Sequence, residues 1–139
     1  MHRMILQPKG WAAPRGYANG VAARGTVVSI AGQIGWNERC EFQTDDFVGQ
    51  ARQALANVRA VLAEAGAGPE HIVRMTWYVT DRREYLGAGK PLGAAYREFM
   101  SDAEGTVHYP AMTAVQVVAL MEERAKVEIE VTAVVPIAM

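Results

Sequence analysis

The residues best suited to acid–base chemistry stand near the end of the chain, in KVEIE, where one isoleucine separates Glu128 from Glu130. The segment alternates apolar and polar, so both carboxylates share one strand face, about 7 Å apart. Carboxylates in unlike surroundings can divide acid and base roles. The same pattern also describes a solvated or salt-bridged strand face. Upstream, HYPAMTAVQV turns a corner at Tyr109-Pro110 and puts Met112 at the mouth of the next strand, where a polar group is common. His2, His71 and His108 lack ligand spacing such as H-x-x-x-H, so no metal site is expected. Cys40 lies in a polar loop without a nearby histidine or helix start, which describes an ordinary thiol rather than a nucleophile. RGYANG (15–20) and AGQIG (31–35) are glycine-rich but carry no P-loop or dinucleotide fingerprint. They read as turns, although Gly32 and Gly35 can also let a backbone approach a ligand closely. Trp11, Trp36 and Trp77 read as packing residues, the first two in loop-like contexts.

These residues need elements to hold them. RMIL (3–6) reads as an edge strand stopped by QPKG, and YANGVAA and TVVSIAG as two strands joined by a tight hairpin at Ala23-Arg24-Gly25. An amphipathic helix follows, capped by Thr44. Its apolar stripe comprises Phe47, Ala51, Ala54, Leu55, Val58, Val61, Leu62 and Ala65, its polar side Gln50, Arg52, Gln53, Asn57 and Arg59, and Gly66 and Gly68 stop it. IVRMTWYVT (72–80) alternates, with Val73, Met75, Trp77 and Val79 on one face and Arg74, Thr76, Tyr78 and Thr80 on the other. Asp81 to Glu84 has the spacing of a capping box. It opens a second helical stretch to about Met100, broken near Gly89-Lys90-Pro91 and buried through Leu92, Tyr96, Phe99 and Met100. MTAVQVVAL and KVEIEVTAVV close the chain as strands. The order β, β, α, β, α, β, β implies a two-layer α/β (α+β) sandwich with both helices on one face of the sheet.

The length, 139 residues, suits a single domain over 1–139. A net charge of -1 leaves no basic surplus to release counterions from a nucleic-acid backbone, so no nucleic-acid partner is expected. One cysteine excludes an intrachain disulfide. No secretory h-region and no apolar run long enough for a membrane span occur, so the expectation is a cytoplasmic protein without membrane association.

GYANGVA, AGQIGW, QARQALANVRAVLAEAGAG, IVRMTWYVTD, YPAM and KVEIEVTAV, in this order and spacing, resemble the RidA family, also called YjgF or endoribonuclease L-PSP-like, along nearly the whole chain. The resemblance implies a chorismate-mutase-like fold with a mixed sheet, assembled as a homotrimer whose sheets form a central barrel. Small-molecule ligands would bind in clefts between subunits. It also implies hydrolysis of reactive imine and enamine acids to keto acids and ammonia, with no metal and no cofactor. The family's early tyrosine falls on Tyr17, its glycine on Gly32 and its late glutamate on Glu128, the expected catalytic acid or base. Four positions depart: the serine becomes Ala31, the helix asparagine Gly93, the cysteine after the arginine Ala114, and the carboxylate-binding arginine Met112.

A guanidinium holds a carboxylate bidentately and a thioether does not. Loss of that bond costs about 1.5–3 kcal/mol, a weakening of roughly ten- to a hundredfold. Backbone amides near Gly32 and Ala114 remain able to polarise a bound group, and Tyr17 and Met112 to contact it. Lys90 or His108 could replace the missing cation. The reading is therefore a RidA-like hydrolase or deaminase acting on something other than the usual 2-imino acid. The alternatives are a metabolite-binding or regulatory trimer and an endoribonuclease or translation inhibitor.

Overall fold

The structure, a computed structural model, describes residues 3–136, so His2 lies outside it. Six strands and three helices follow in the order β1 (Arg3–Leu6), β2 (Gly20–Ala23), β3 (Thr26–Ile34), α1 (Phe47–Glu64), β4 (Ile72–Val79), α2 (Arg82–Gly87), α3 (Gly89–Phe99), β5 (Ala111–Gln116) and β6 (Val127–Val135). A four-stranded mixed sheet has the order β3-β6-β4-β5, with β4 and β5 parallel and the other pairs antiparallel. Helices α1 and α3 cover one face, giving the expected two-layer α+β arrangement. Leu55, Val58, Leu62, Tyr96 and Phe99 pack there on Met75, Trp77, Ile129 and Val131.

The expected hairpin at Ala23-Arg24-Gly25 does not form. β2 pairs with β1 in a separate ribbon while β3 pairs with β6, so this turn carries the chain from one sheet to the other. β5 stops at Gln116 rather than Leu120, because its neighbour β4 ends at Val79 and offers no further partner. On β4, Ile72 rather than Val73 enters the core. A bulge between Ile72 and Arg74 inserts one residue and resets the alternation.

The helix ends differ from expectation in instructive ways. The cap of α1 is Asp46, whose Oδ2 accepts the Gly49 N–H at 2.8 Å. Thr44 lies too far upstream for that and accepts the Asp46 N–H at 3.0 Å. Asp81 caps α2 by accepting the Arg83 N–H at 2.9 Å, but Glu84 does not close a capping box; it pairs with Lys126 Nζ at 3.4 Å. The break between α2 and α3 comes at Ala88, with Gly89 at φ 53°. Pro91 thus falls in the first turn of α3, where no intrahelical N–H is required of it.

Gln50 is completely buried, against its place on the polar side of the helix. Its amide donates to the carbonyls of Thr44 (3.1 Å) and Arg124 (2.9 Å) and accepts the Lys126 N–H (2.8 Å). These bonds tie α1 to the start of β6 and offset the cost of burying an amide.

Candidate functional site

The helix-free face of the sheet carries Arg74, Thr76 and Tyr78 from β4 beside Glu128, Glu130 and Thr132 from β6, in direct cross-strand register. The two glutamates differ in what they meet. The Tyr78 hydroxyl donates to Glu130 Oε1 at 3.1 Å. That bond, then the Glu130 charge, raises the Tyr78 pKa above its ordinary value. Glu128 is half-buried. Among the described residues its carboxylate has no hydrogen-bond or ion-pair partner.

A bulge in β3 between Ile30 and Gln33 brings the Gly32 backbone under the Glu128 side chain. A β-carbon on residue 32 would collide with Glu128 Oε2 and lie 2.7 Å from its Cδ. Only glycine leaves room for that carboxylate. Gly35 serves packing instead of a ligand. Its α-carbon abuts α1, and a β-carbon there would stand 2.5 Å from Gln50 Cβ and 2.7 Å from Gln50 Cα.

The other expected site residues gather elsewhere. The YPAM corner is fixed from three sides. Arg3 donates to the carbonyls of Ile72 (2.6 Å) and Tyr109 (2.9 Å), His108 N–H donates to Met100 O (3.0 Å), and Ala18 N–H donates to Pro110 O (2.8 Å). Burial of the Arg3 guanidinium lowers its pKa. The Ala18–Pro110 bond lays the loop carrying Arg15, Gly16 and Tyr17 alongside the first residues of β5. Met112 then lines a cavity of about 290 Å³ with Arg15, Trp77, Leu92, Gly93 and Tyr96. Tyr17 faces a neighbouring groove with Arg3, His108 and Tyr109. Ala114 is exposed on β5, in register with Trp77.

Met112 is in register with the core residue Met75, and Glu128 with Tyr78. Met112 and Glu128 therefore occupy opposite faces of the sheet, with β4 between their strands, and one chain alone does not bring them together. Neither expected substitute for the arginine lies in the Met112 cavity. Lys90 does not line it, and His108 Nε2 is 2.7 Å from Asp102 Oδ2. The cation present is Arg15, which neither periodicity nor motif spacing singles out. The cavity wall holds two further features invisible in the sequence. Trp77 Nε1 and the Tyr96 hydroxyl are buried without a hydrogen-bond partner among the described residues, each a cost of about 1–3 kcal/mol when left unmade. Burial, then the charges of Tyr85 and Tyr109, pushes the Tyr96 pKa up, so it stays a neutral donor. No cluster of three or more potential metal ligands occurs among the described residues, and no helix is long and apolar enough to cross a membrane.

A family model described as endoribonuclease L-PSP matches residues 9–135. The 2-iminobutanoate/2-iminopropanoate deaminase of Salmonella typhimurium is 32% identical over 134 residues, covering 96% of this chain and 98% of the relative. Among solved structures, YyfB of the conserved Rid protein family from Yersinia pestis superposes with a TM-score of 0.79 at 30% identity, covering 97% of this chain and 100% of that one. Escherichia coli TdcF with bound serine gives a TM-score of 0.68 at 30% identity, covering 95% and 98%.

Proposed function

The chain belongs to the endoribonuclease L-PSP family, also called RidA/YjgF, and from that premise we propose that it is a deaminase of reactive imines and enamines that uses Glu128 to activate water. The observation that carries this reading is the seat of Glu128: a half-buried carboxylate over Gly32, without a partner among the described residues, on a face where the adjacent Glu130 is already engaged by Tyr78. A free carboxylate there can accept a proton from water as the oxygen adds to the C=N carbon, with the nitrogen taking a proton. Glu128 then relays the carbinolamine's hydroxyl proton to the nitrogen as the C–N bond breaks, so ammonia leaves a carbonyl product. An enamine enters the same route once its carbon is protonated.

The cleft is completed by neighbouring copies in a homotrimer. Gly32 and Met112 sit on the two opposite edge strands, β3 and β5, which supports a site built where the edge of one copy meets that of another. Val118 and Met121, just past β5, are almost completely exposed and supply apolar surface for that contact. In the cleft Gly32 and Ala114 contribute backbone, Tyr17 positions the substrate, and Met112 gives an apolar wall. Met112 makes the usual 2-imino acids poor substrates. No cofactor or metal takes part, the near-neutral charge argues against a nucleic-acid substrate, and the setting is cytoplasmic.

Met112 also favours a second reading, a trimer that binds a small metabolite without turning it over, since an apolar wall holds a ligand as well as a substrate. The test is ammonia release from imines generated in situ by an amino-acid oxidase. Acceleration of at least one imine supports the deaminase. If none is accelerated while metabolites still raise the melting temperature, the binding reading replaces it.

A further inference from the structure

The cavity behind Met112 is more than a site from which a charge is missing. We propose that it receives the aromatic side chain of an imino acid and that Arg15 binds the substrate's carboxylate, giving this chain substrates larger than the short imino acids in the Salmonella relative's name. The proposal rests on the deaminase reading for the imine itself.

Three observations carry it. Arg15 is exposed at the cavity and makes no hydrogen bond or ion pair among the described residues, so its guanidinium is available for a bidentate carboxylate. The Ala18–Pro110 bond holds the loop that carries it beside the start of β5. The wall behind it is apolar and aromatic: Met112 and Leu92 stand with Trp77 and Tyr96, whose rings meet edge to face at 6.3 Å. A flat ring suits such surroundings. At about 290 Å³ the cavity is at the small end of ligand sites.

Calorimetric titration with stable oxo acids tests binding apart from turnover. Phenylpyruvate is expected to bind at least about tenfold tighter than pyruvate. Arg15→Ala is expected to weaken phenylpyruvate by about ten- to a hundredfold while leaving its methyl ester unchanged, and Arg15→Lys to recover part of the loss. Because Arg15 is exposed, these variants should keep the wild-type melting temperature. Phenylpyruvate binding no tighter than pyruvate, or unaffected by Arg15→Ala, overturns the proposal. If phenylpyruvate binds as expected but no imine is deaminated, the deaminase reading fails and Arg15 keeps its place as the anion-binding residue. If imines are deaminated but Arg15→Ala alters neither binding nor kcat/KM, the assignment of Arg15 fails alone.

Discussion

The Glu128 carboxyl group lies against the α-carbon of Gly32, so close that a β-carbon at residue 32 would stand 2.7 Å from Glu128 Cδ and 2.9 Å from its Cγ. The group that must yield to Gly32→Ala is the end of a flexible side chain, which can swing away at little energetic expense. Gly32→Ala is therefore expected to cost about 1 kcal/mol or less, a few degrees in melting temperature. Activity should fall at least about tenfold, because the carboxylate is displaced from its seat. Thermal unfolding and imine hydrolysis, measured side by side, check this.

Gly35→Ala is expected to do the reverse. The atoms that meet the new β-carbon are Gln50 Cβ and Cα, held in the middle of α1. Helix and strand must separate, so stability should drop by about 1–3 kcal/mol. Denaturant unfolding reads the loss, and the rate per folded molecule should change little.

Gln50→Leu tests how the buried amide holds the start of β6. It strips partners from the Thr44 and Arg124 carbonyls and the Lys126 N–H. The expected loss is about 2–4 kcal/mol, since unsatisfied buried groups cost about 1–3 kcal/mol each and part of that is recovered where water reaches them. A melting temperature equal to wild type contradicts this role.

Asp102 gives a pH dependence of known sign. The bond to His108, then the backbone N–H of Thr106, holds its pKa below the ordinary carboxylate value. The folded state thus favours the ionised form. Its contribution is complete above about pH 4, the ordinary aspartate value, and is lost as pH falls through the lowered folded-state value. Asp102→Asn should therefore melt below wild type at neutral pH, with the gap closing under acid. A gap that persists unchanged at low pH contradicts the assignment.

Met112→Arg should change which imines are used. A guanidinium on β5 is expected to raise kcat/KM on 2-iminobutanoate by about ten- to a hundredfold and to lower it on aromatic imino acids by replacing the apolar wall. A kcat/KM ratio unchanged between the two substrates argues against Met112 as a determinant of specificity.

The elements were legible where one face of a segment is buried. The stripe of α1, apart from the exposed Val61, and the alternation of β6 follow from burial on one side, and α1 and α3 lie where those patterns require. What escaped depends on single insertions or on distant partners. The bulges at Val73 and at Ala31-Gly32 each reset a period-two pattern by one residue. Gln50 looks solvated in the helix pattern because its partners lie at residues 44, 124 and 126. The site divides likewise. Glu128 with Gly32 was visible from its alternation and from the resemblance, whereas Arg15 reaches the Met112 cavity only through a backbone bond between residues 18 and 110.

The central claim is that Glu128 activates water, and the kcat of Glu128→Gln on an imine accepted by the wild type tests it most directly. A fall of about a hundredfold or more is expected, with phenylpyruvate affinity and melting temperature little changed, because glutamine keeps the shape and loses the base. A Glu128→Gln enzyme that turns over at the wild-type rate contradicts it.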